Sequence, residues 1–160
     1  MDNAKTFKIT DEKVALAKAE HYCAYQERSQ HEVRNKLYEW GLWTDAVENI
    51  IVQLIGGNFL NEERFAKAYV QGKFKQKGWG KIKIKQGLKL KKVPDGLLKK
   101  ALQTIDGEDY LAMLNKVIHK KASLLTEKDP YKRRYKLQQH ARGRGSESDL
   151  IADVLKNSEL

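Results

Sequence analysis

Asn58-Phe59-Leu60-Asn61-Glu62-Glu63-Arg64-Phe65-Ala66-Lys67-Ala68-Tyr69-Val70 decides the fold, because this stretch closes one structural unit and opens the next. Gly56-Gly57 ahead of it is a helix-breaking pair, Asn61 has the short polar side chain that an N-cap needs, and Glu62-Glu63 put negative charge where a helix N-terminus favours it. A helix is expected to start here. Phe65, Tyr69, Val70 and Phe74 recur at helical spacing as one apolar stripe, while Lys67, Gln71 and Lys75 fall at i, i+4 on another face. One face packs and the other is wet.

Toward the N-terminus, Thr10 or Asp11 caps a first helix that runs to about Gln26, with Ala15, Ala19, Tyr22 and Cys23 as its stripe. Ser29-Gln30-His31-Glu32 reads as a capping box ahead of Val33 and Leu37, with Gly41 as the stop. Thr44 is expected to cap a third helix with Val47, Ile50, Ile51 and Leu54 facing inward. A displacement of 51 residues recovers the same core: Val33 maps to Ile84, Leu37 to Leu88, Leu42 to Val93, Val47 to Leu98, Ile50 to Ala101, Ile51 to Leu102, Leu54 to Ile105 and Gly56 to Gly107. In the first helices Val14 maps to Phe65, Ala15 to Ala66, Ala19 to Val70 and Cys23 to Phe74. A further 53 residues carries Ile84 to Leu137, Leu88 to Ala141, Lys92 to Gly145, Leu98 to Ile151, Ala101 to Val154 and Leu102 to Leu155. This third copy opens with Asp129-Pro130, a cap followed by proline at the first helical position, and holds a second capping-box pattern at Ser146-Glu147-Ser148-Asp149.

The expected architecture is therefore all-α, three tandem three-helix repeats over residues 11–57, 58–107 and 108–160. A unit of about 50 residues holds little core alone, so the repeats are expected to stack into an elongated, curved body. One local signal conflicts with this. Lys81-Ile82-Lys83-Ile84-Lys85 and Leu88-Lys89-Leu90-Lys91 alternate with period two around Gln86-Gly87, as a β-hairpin would. The slots shared by Ile84 with Val33 and by Leu88 with Leu37 favour a helix, and a lone hairpin among helices would lack partner strands.

The net charge of +10 is concentrated. Residues 67–100 carry twelve lysines and one acid, Asp95, a local balance of +11, so the rest of the chain sums to −1. Such a field points to a polyanion or an acidic protein surface. A solvated lysine-rich surface kept for solubility is the plainer alternative, although such surfaces usually mix in more acids. Trp79, between Gly78 and Gly80 inside the lysine field, is balanced between packing and a platform for a base or partner side chain. Trp40 and Trp43, which flank Gly41, are both expected to pack.

The single cysteine, Cys23, has no partner for an internal disulfide and reads as a buried small hydrophobe. The four histidines are scattered without ligand spacing, no phosphate-cradling Gly-rich loop precedes a Lys-Ser/Thr pair, and acids gather at helix starts. No catalysis, metal or cofactor is expected. No apolar run approaches the ~20 residues of a membrane span, and the N-terminal ten residues lack a signal-peptide core, so a cytoplasmic protein is expected.

Arg28-Ser29-x-x-Glu32-Val33-x-x-Lys36-Leu37, then Leu60-Asn61-Glu62-x-Arg64-Phe65-Ala66-x-x-Tyr69-Val70, then Lys77-Gly78-x-Gly80 with Ile84, Leu88 and Lys91, resemble the RecX family of bacterial recombination regulators in order and spacing across nearly the whole chain. Asn61-Glu62 stands where the family usually has two aspartates, Lys92 where the second repeat usually has glycine, and Gln138-Gln139-His140-Ala141 makes the last repeat less typical. The resemblance implies a regulator that binds the RecA filament on single-stranded DNA and inhibits its growth, ATP hydrolysis and strand exchange; separately, a monomer is expected. The basic field then puts the expected contacts among Lys67, Lys73, Lys75, Lys77, Trp79, Lys81, Lys85, Lys89, Lys91 and Lys92, with Arg133, Arg134 and Lys136 from the last repeat. The alternative is a sequence-independent basic module that acts through nucleic acid alone.

Overall fold

Short polar side chains set most of the helix starts. In the computed structural model, which describes residues 11–160, Asp11 accepts the Lys13 N–H at 2.9 Å and opens α1 (Glu12–Tyr25). The reading of the ten residues before it lies outside the described residues. Ser29 and Glu32 form the full capping box of α2 (Gln30–Glu39): the Glu32 N–H donates to Ser29 Oγ at 3.0 Å and the Ser29 N–H to Glu32 Oε1 at 2.9 Å. Asn61 Oδ1 accepts the Arg64 N–H at 2.9 Å at the start of α4 (Glu62–Lys77). Asp106 does the same for α7 (Gly107–Leu124) through the Asp109 N–H, and Asp129 for α8 (Pro130–Gly143), with Pro130 in the first turn.

Two expected caps are not made. The third helix, α3 (Thr44–Gly56), begins at Thr44 itself with Trp43 at the N-cap, and Thr44 Oγ1 instead accepts the Tyr38 hydroxyl at 3.3 Å. In α9 (Ser148–Lys156) the N-cap is Glu147, without a side-chain cap bond. Ser146 is buried with its N–H donated to the Ala141 carbonyl at 3.2 Å, and the Glu147 carboxylate accepts from the Tyr110 hydroxyl. A tertiary partner outbids the local cap.

With α5 (Lys81–Leu90) and α6 (Asp95–Leu102), the described residues form nine helices and no strand, in three consecutive groups of three. By backbone proximity the described residues divide into 11–68 with 89–97, and 69–88 with 98–160. In the first unit α1, α2 and α3 pack on one another around Ala15, Val33, Leu37, Val47, Ile50 and Leu54. Arg64 ties its loop down: Nε meets Glu27 Oε2 at 2.5 Å, and the other nitrogens donate to Asn58 Oδ1 and to the carbonyls of Asn58 and Phe59. In the second unit α7, α8 and α9 enclose Leu114, Ile118, Leu137, Ala141, Ile151 and Leu155.

The repeat is visible in burial. Val33, Ile84 and Leu137 are buried, as are Leu37, Leu88 and Ala141, and Val47, Leu98 and Ile151. Three expectations fail. Val14 is 54% exposed although its counterpart Phe65 is buried, because α1 is anchored through its small residues Ala15 and Ala19. Leu102, at the end of α6, is only partly buried. Trp40 is buried, but Trp43 is 85% exposed, since its place at the N-cap turns the indole away while neighbouring Leu42 fills the core.

The hairpin signal in Lys81–Leu90 loses to helix for a steric reason. Gly87 costs a helix about 1 kcal/mol against alanine, yet a Cβ there would lie 1.9 Å from the Tyr69 hydroxyl. The glycine lets α4 and α5 touch. After the second helix of each repeat the chain turns through the left-handed region, at Gly41 (φ 95°), Lys92 (φ 58°) and Gly145 (φ 91°). Lysine pays a strain at that position that glycine does not.

Truncating buried Leu88 to alanine should lower stability by about 2–5 kcal/mol in urea denaturation, the range for a core leucine. Lys92→Gly should raise stability by about 1 kcal/mol by relieving the left-handed strain. A loss of stability there would mean that the Lys92 side chain supports the fold.

Candidate polyanion interface

In the second unit, α4 ends in a turn of fixed geometry. Gly78 adopts φ 65°, its N–H donates to the Phe74 carbonyl at 3.0 Å, and the Trp79 N–H reaches back to the Lys73 carbonyl at 3.1 Å. This leaves the indole of Trp79 partly exposed between two ammonium groups, Lys73 Nζ at 4.9 Å from the ring centroid and Lys83 Nζ at 4.5 Å. Two like charges are held close together by the ring quadrupole that attracts both. Lys83 was missed among the contact candidates. Its signal in the sequence was only its nearness to Trp79.

Lys81 is committed to the fold. Its N–H donates to the Tyr110 hydroxyl at 2.9 Å and its ammonium lies 4.8 Å from the Tyr110 ring. Lys85 stands one turn further along α5 and is exposed, as are Lys75 and Lys77 on α4. In the first unit Lys89 and Lys92 are exposed, while Lys91 pairs with Glu32 at 3.3 Å and Lys67 with Glu63 at 3.6 Å. Such partly exposed pairs contribute little to stability and still leave the lysines reachable.

The arginines of the last repeat differ from one another. Arg134 is exposed and Lys136 pairs with Glu127 at 3.2 Å. Arg133, expected to meet a partner, is turned inward instead. Its guanidinium donates to the carbonyls of Ala122 at 2.7 Å, Leu160 at 2.9 Å, Glu127 at 3.2 Å and Leu125 at 3.3 Å. It closes the C-terminal end of α7, where a cation also meets the helix dipole. The planar fork of arginine suits this multiple contact.

Cys23 is buried, and burial pushes its thiol up to about 11, so it carries no nucleophilic role at neutral pH. Among the described residues no three His, Cys, Asp or Glu side chains are grouped for a metal ion, and no helix is long and apolar enough to cross a membrane.

Tandem three-helix groups with many exposed lysines define a basic all-α repeat protein. Its sequence goes further: models of the first, second and third three-helix domains of RecX match residues 15–54, 61–102 and 108–155. The regulatory protein RecX of Prosthecochloris aestuarii is 30% identical over 146 residues, 91% of this chain and 94% of its own length. That of Bacillus licheniformis is 30% identical over 93% of this chain, and that of Clostridium perfringens 30% over 81%. The chain spans 57% of the Bacillus relative and 61% of the Clostridium one. The crystal structure of RecX from Lactobacillus salivarius superposes with a TM-score of 0.81 at 23% identity, over 91% of this chain and 94% of that one, a likeness of fold. This chain belongs to the RecX family of regulatory proteins, which are not enzymes.

Arg133→Gln should cost about 2 kcal/mol, as expected for charge-assisted bonds to partly buried carbonyls, whereas Arg134→Gln should change stability by less than about 0.5 kcal/mol. Equal melting temperatures for the two variants would contradict the inward assignment of Arg133.

Proposed function

We propose that this chain binds the RecA filament on single-stranded DNA and restrains its growth, its ATP hydrolysis and strand exchange. Membership of the RecX family supports the reading, and the carrying observation is the lysine series whose exposed members include Lys75, Lys77, Lys85, Lys89 and Lys92. A filament groove offers acidic protein and DNA phosphate together, and lysine ammonium groups meet both as point charges. Trp79 between its two lysines adds a stacking surface for a base or for a partner side chain.

The same Trp79 arrangement also favours a second reading, a module that acts through nucleic acid alone. Salt separates the two. If binding is only the sum of about five lysine contacts to single-stranded phosphate, affinity falls roughly a hundredfold between about 50 and 200 mM salt. Contacts matched in shape to RecA protein release no counterions, so filament binding should show the shallower slope, and inhibition should survive where binding to bare single strands is lost. Equal slopes, with inhibition vanishing together with DNA binding, would establish the second reading instead.

Lys85→Glu/Lys89→Glu should leave helical content and melting nearly unchanged, since both side chains are exposed, while weakening inhibition of RecA ATPase. Lys81 is left intact in this variant because its ammonium packs on Tyr110. Full inhibition by the double variant would remove α5 from the contact surface.

A further inference from the structure

Within the second unit a groove of about 340 Å³ runs along α7 beside the C-terminal end of α4 and the end of α8. Its cationic lining comprises Lys75, Lys77, Lys116, Lys120, Lys121 and Arg144, and no carboxylate lines it. Lys116 and Lys120 lie one helical turn apart, with Lys121 next to them. Along the same helix Met113, Val117 and Leu124 supply an apolar strip, and Leu124 is 70% exposed despite its size. The volume is that of a small-molecule site, near the lower end of the roughly 300–1,000 Å³ range.

The groove is built and not merely crowded. Arg144 donates to the Lys77 carbonyl, which fixes its guanidinium at the wall, while its Nε is buried without a hydrogen-bond partner. Buried donors without acceptors are rare and call for an explanation. Gly78, held at φ 65°, admits this approach: a Cβ there would stand 3.1 Å from an Arg144 nitrogen and 3.3 Å from a Val117 methyl. His140 completes the wall. Burial, then the charges of Lys121 and Arg144, hold its imidazole below the usual value, so it adds no charge of its own at neutral pH.

We propose that this groove binds a nucleotide unit, with its phosphate among Lys116, Lys120, Lys121 and Arg144 and its base laid on Met113, Val117 and Leu124. A simple anion would use the cations and leave the apolar strip wet; a phosphate ester with a planar base covers both. The unit can be a free nucleotide or one residue of a single DNA strand, since both present the same chemistry. The inference rests on α4, α7 and α8 and does not depend on action at a filament, so its test contains no RecA.

The full chain is titrated calorimetrically with deoxyadenosine monophosphate, deoxyadenosine, inorganic phosphate and a 5′-phosphorylated oligothymidine. Deoxyadenosine monophosphate should bind more tightly than either phosphate or the nucleoside. Lys120→Gln/Lys121→Gln should weaken it by about tenfold, the equivalent of about 1.4 kcal/mol, while Lys99→Gln/Lys156→Gln, at two exposed lysines of the same unit outside the groove, should leave it nearly unchanged. Circular dichroism on each variant, and Lys116→Gln as an independent lesion, guard against loss of fold. Displacement of the mononucleotide by the oligothymidine assigns the site to a strand; mononucleotide binding without displacement assigns it to a free nucleotide. No saturable binding at millimolar nucleotide, binding no tighter than that of phosphate, or equal weakening in both double variants would overturn the proposal.

Discussion

Between Gly80 and Gly145 there is no room for a side chain. A Cβ on Gly80 would sit 2.3 Å from the Gly145 carbonyl carbon, and one on Gly145 would sit 2.3 Å from Lys83 Cβ. This contact replaces the side-chain cap that α5 lacks. The first N–H groups of a helix have no intrahelical acceptor, and here three in succession are taken up by other elements: Gly80 donates to the Arg144 carbonyl at 2.7 Å, Lys81 to the Tyr110 hydroxyl at 2.9 Å and Ile82 to the Gly145 carbonyl at 3.0 Å. The turn between α8 and α9 thus holds the start of α5, and with it the positions of Trp79, Lys81 and Lys83. The start of α5 is set by the last repeat.

Tyr110 makes that arrangement polar without making it charged. Burial first, and the hydrogen bond to Glu147 next, drive its hydroxyl well above the ordinary tyrosine value, so it stays protonated. It donates to the Glu147 carboxylate and accepts from the Lys81 N–H, so one side chain satisfies a half-buried acid and an orphan helix donor together. Its ring stacks at 5.9 Å from that of Phe74 and carries the Lys81 ammonium on the other contact. Removal of the hydroxyl would therefore leave two polar groups without a partner, a heavier loss than that of a single hydrogen bond.

The helical array was legible because burial repeats: the residues matched at Val33, Ile84 and Leu137 are all core, and a pattern shared by three copies outweighs local ambiguity. Local signals failed where a tertiary partner was worth more than the local one. The alternation around Gly87 suggests a strand when taken alone, the repeat rightly favours helix, and Tyr69 supplies the reason for the glycine; the capping pattern at Ser146 gave way to the Glu147–Tyr110 contact. Arg133 could not be read from sequence, because four carbonyls that lie 6 to 27 residues away claim its guanidinium and leave no periodicity. The groove beside α7 escaped for a similar reason. Lys116, Lys120 and Lys121 form one wall of it, and Gly78 and Arg144, which only the fold brings opposite them, form the other.

A dense positive field destabilises a folded chain by self-repulsion, and the second and third repeats distribute that cost unevenly. Where a lysine or arginine has found a ring, a carboxylate or carbonyls, as Lys73, Lys81, Lys91 and Arg133 have, the charge helps to hold an element in place. Lys75, Lys77, Lys85, Lys89 and Lys92 remain exposed, and Lys92 bears in addition a left-handed backbone that glycine occupies in the other two repeats. None of these five adds appreciable stability through solvent-screened charge. Under the proposed function, lysines that neutralise phosphates release the counterions condensed on the nucleic acid, so binding, unlike folding, is the step that gains from their number.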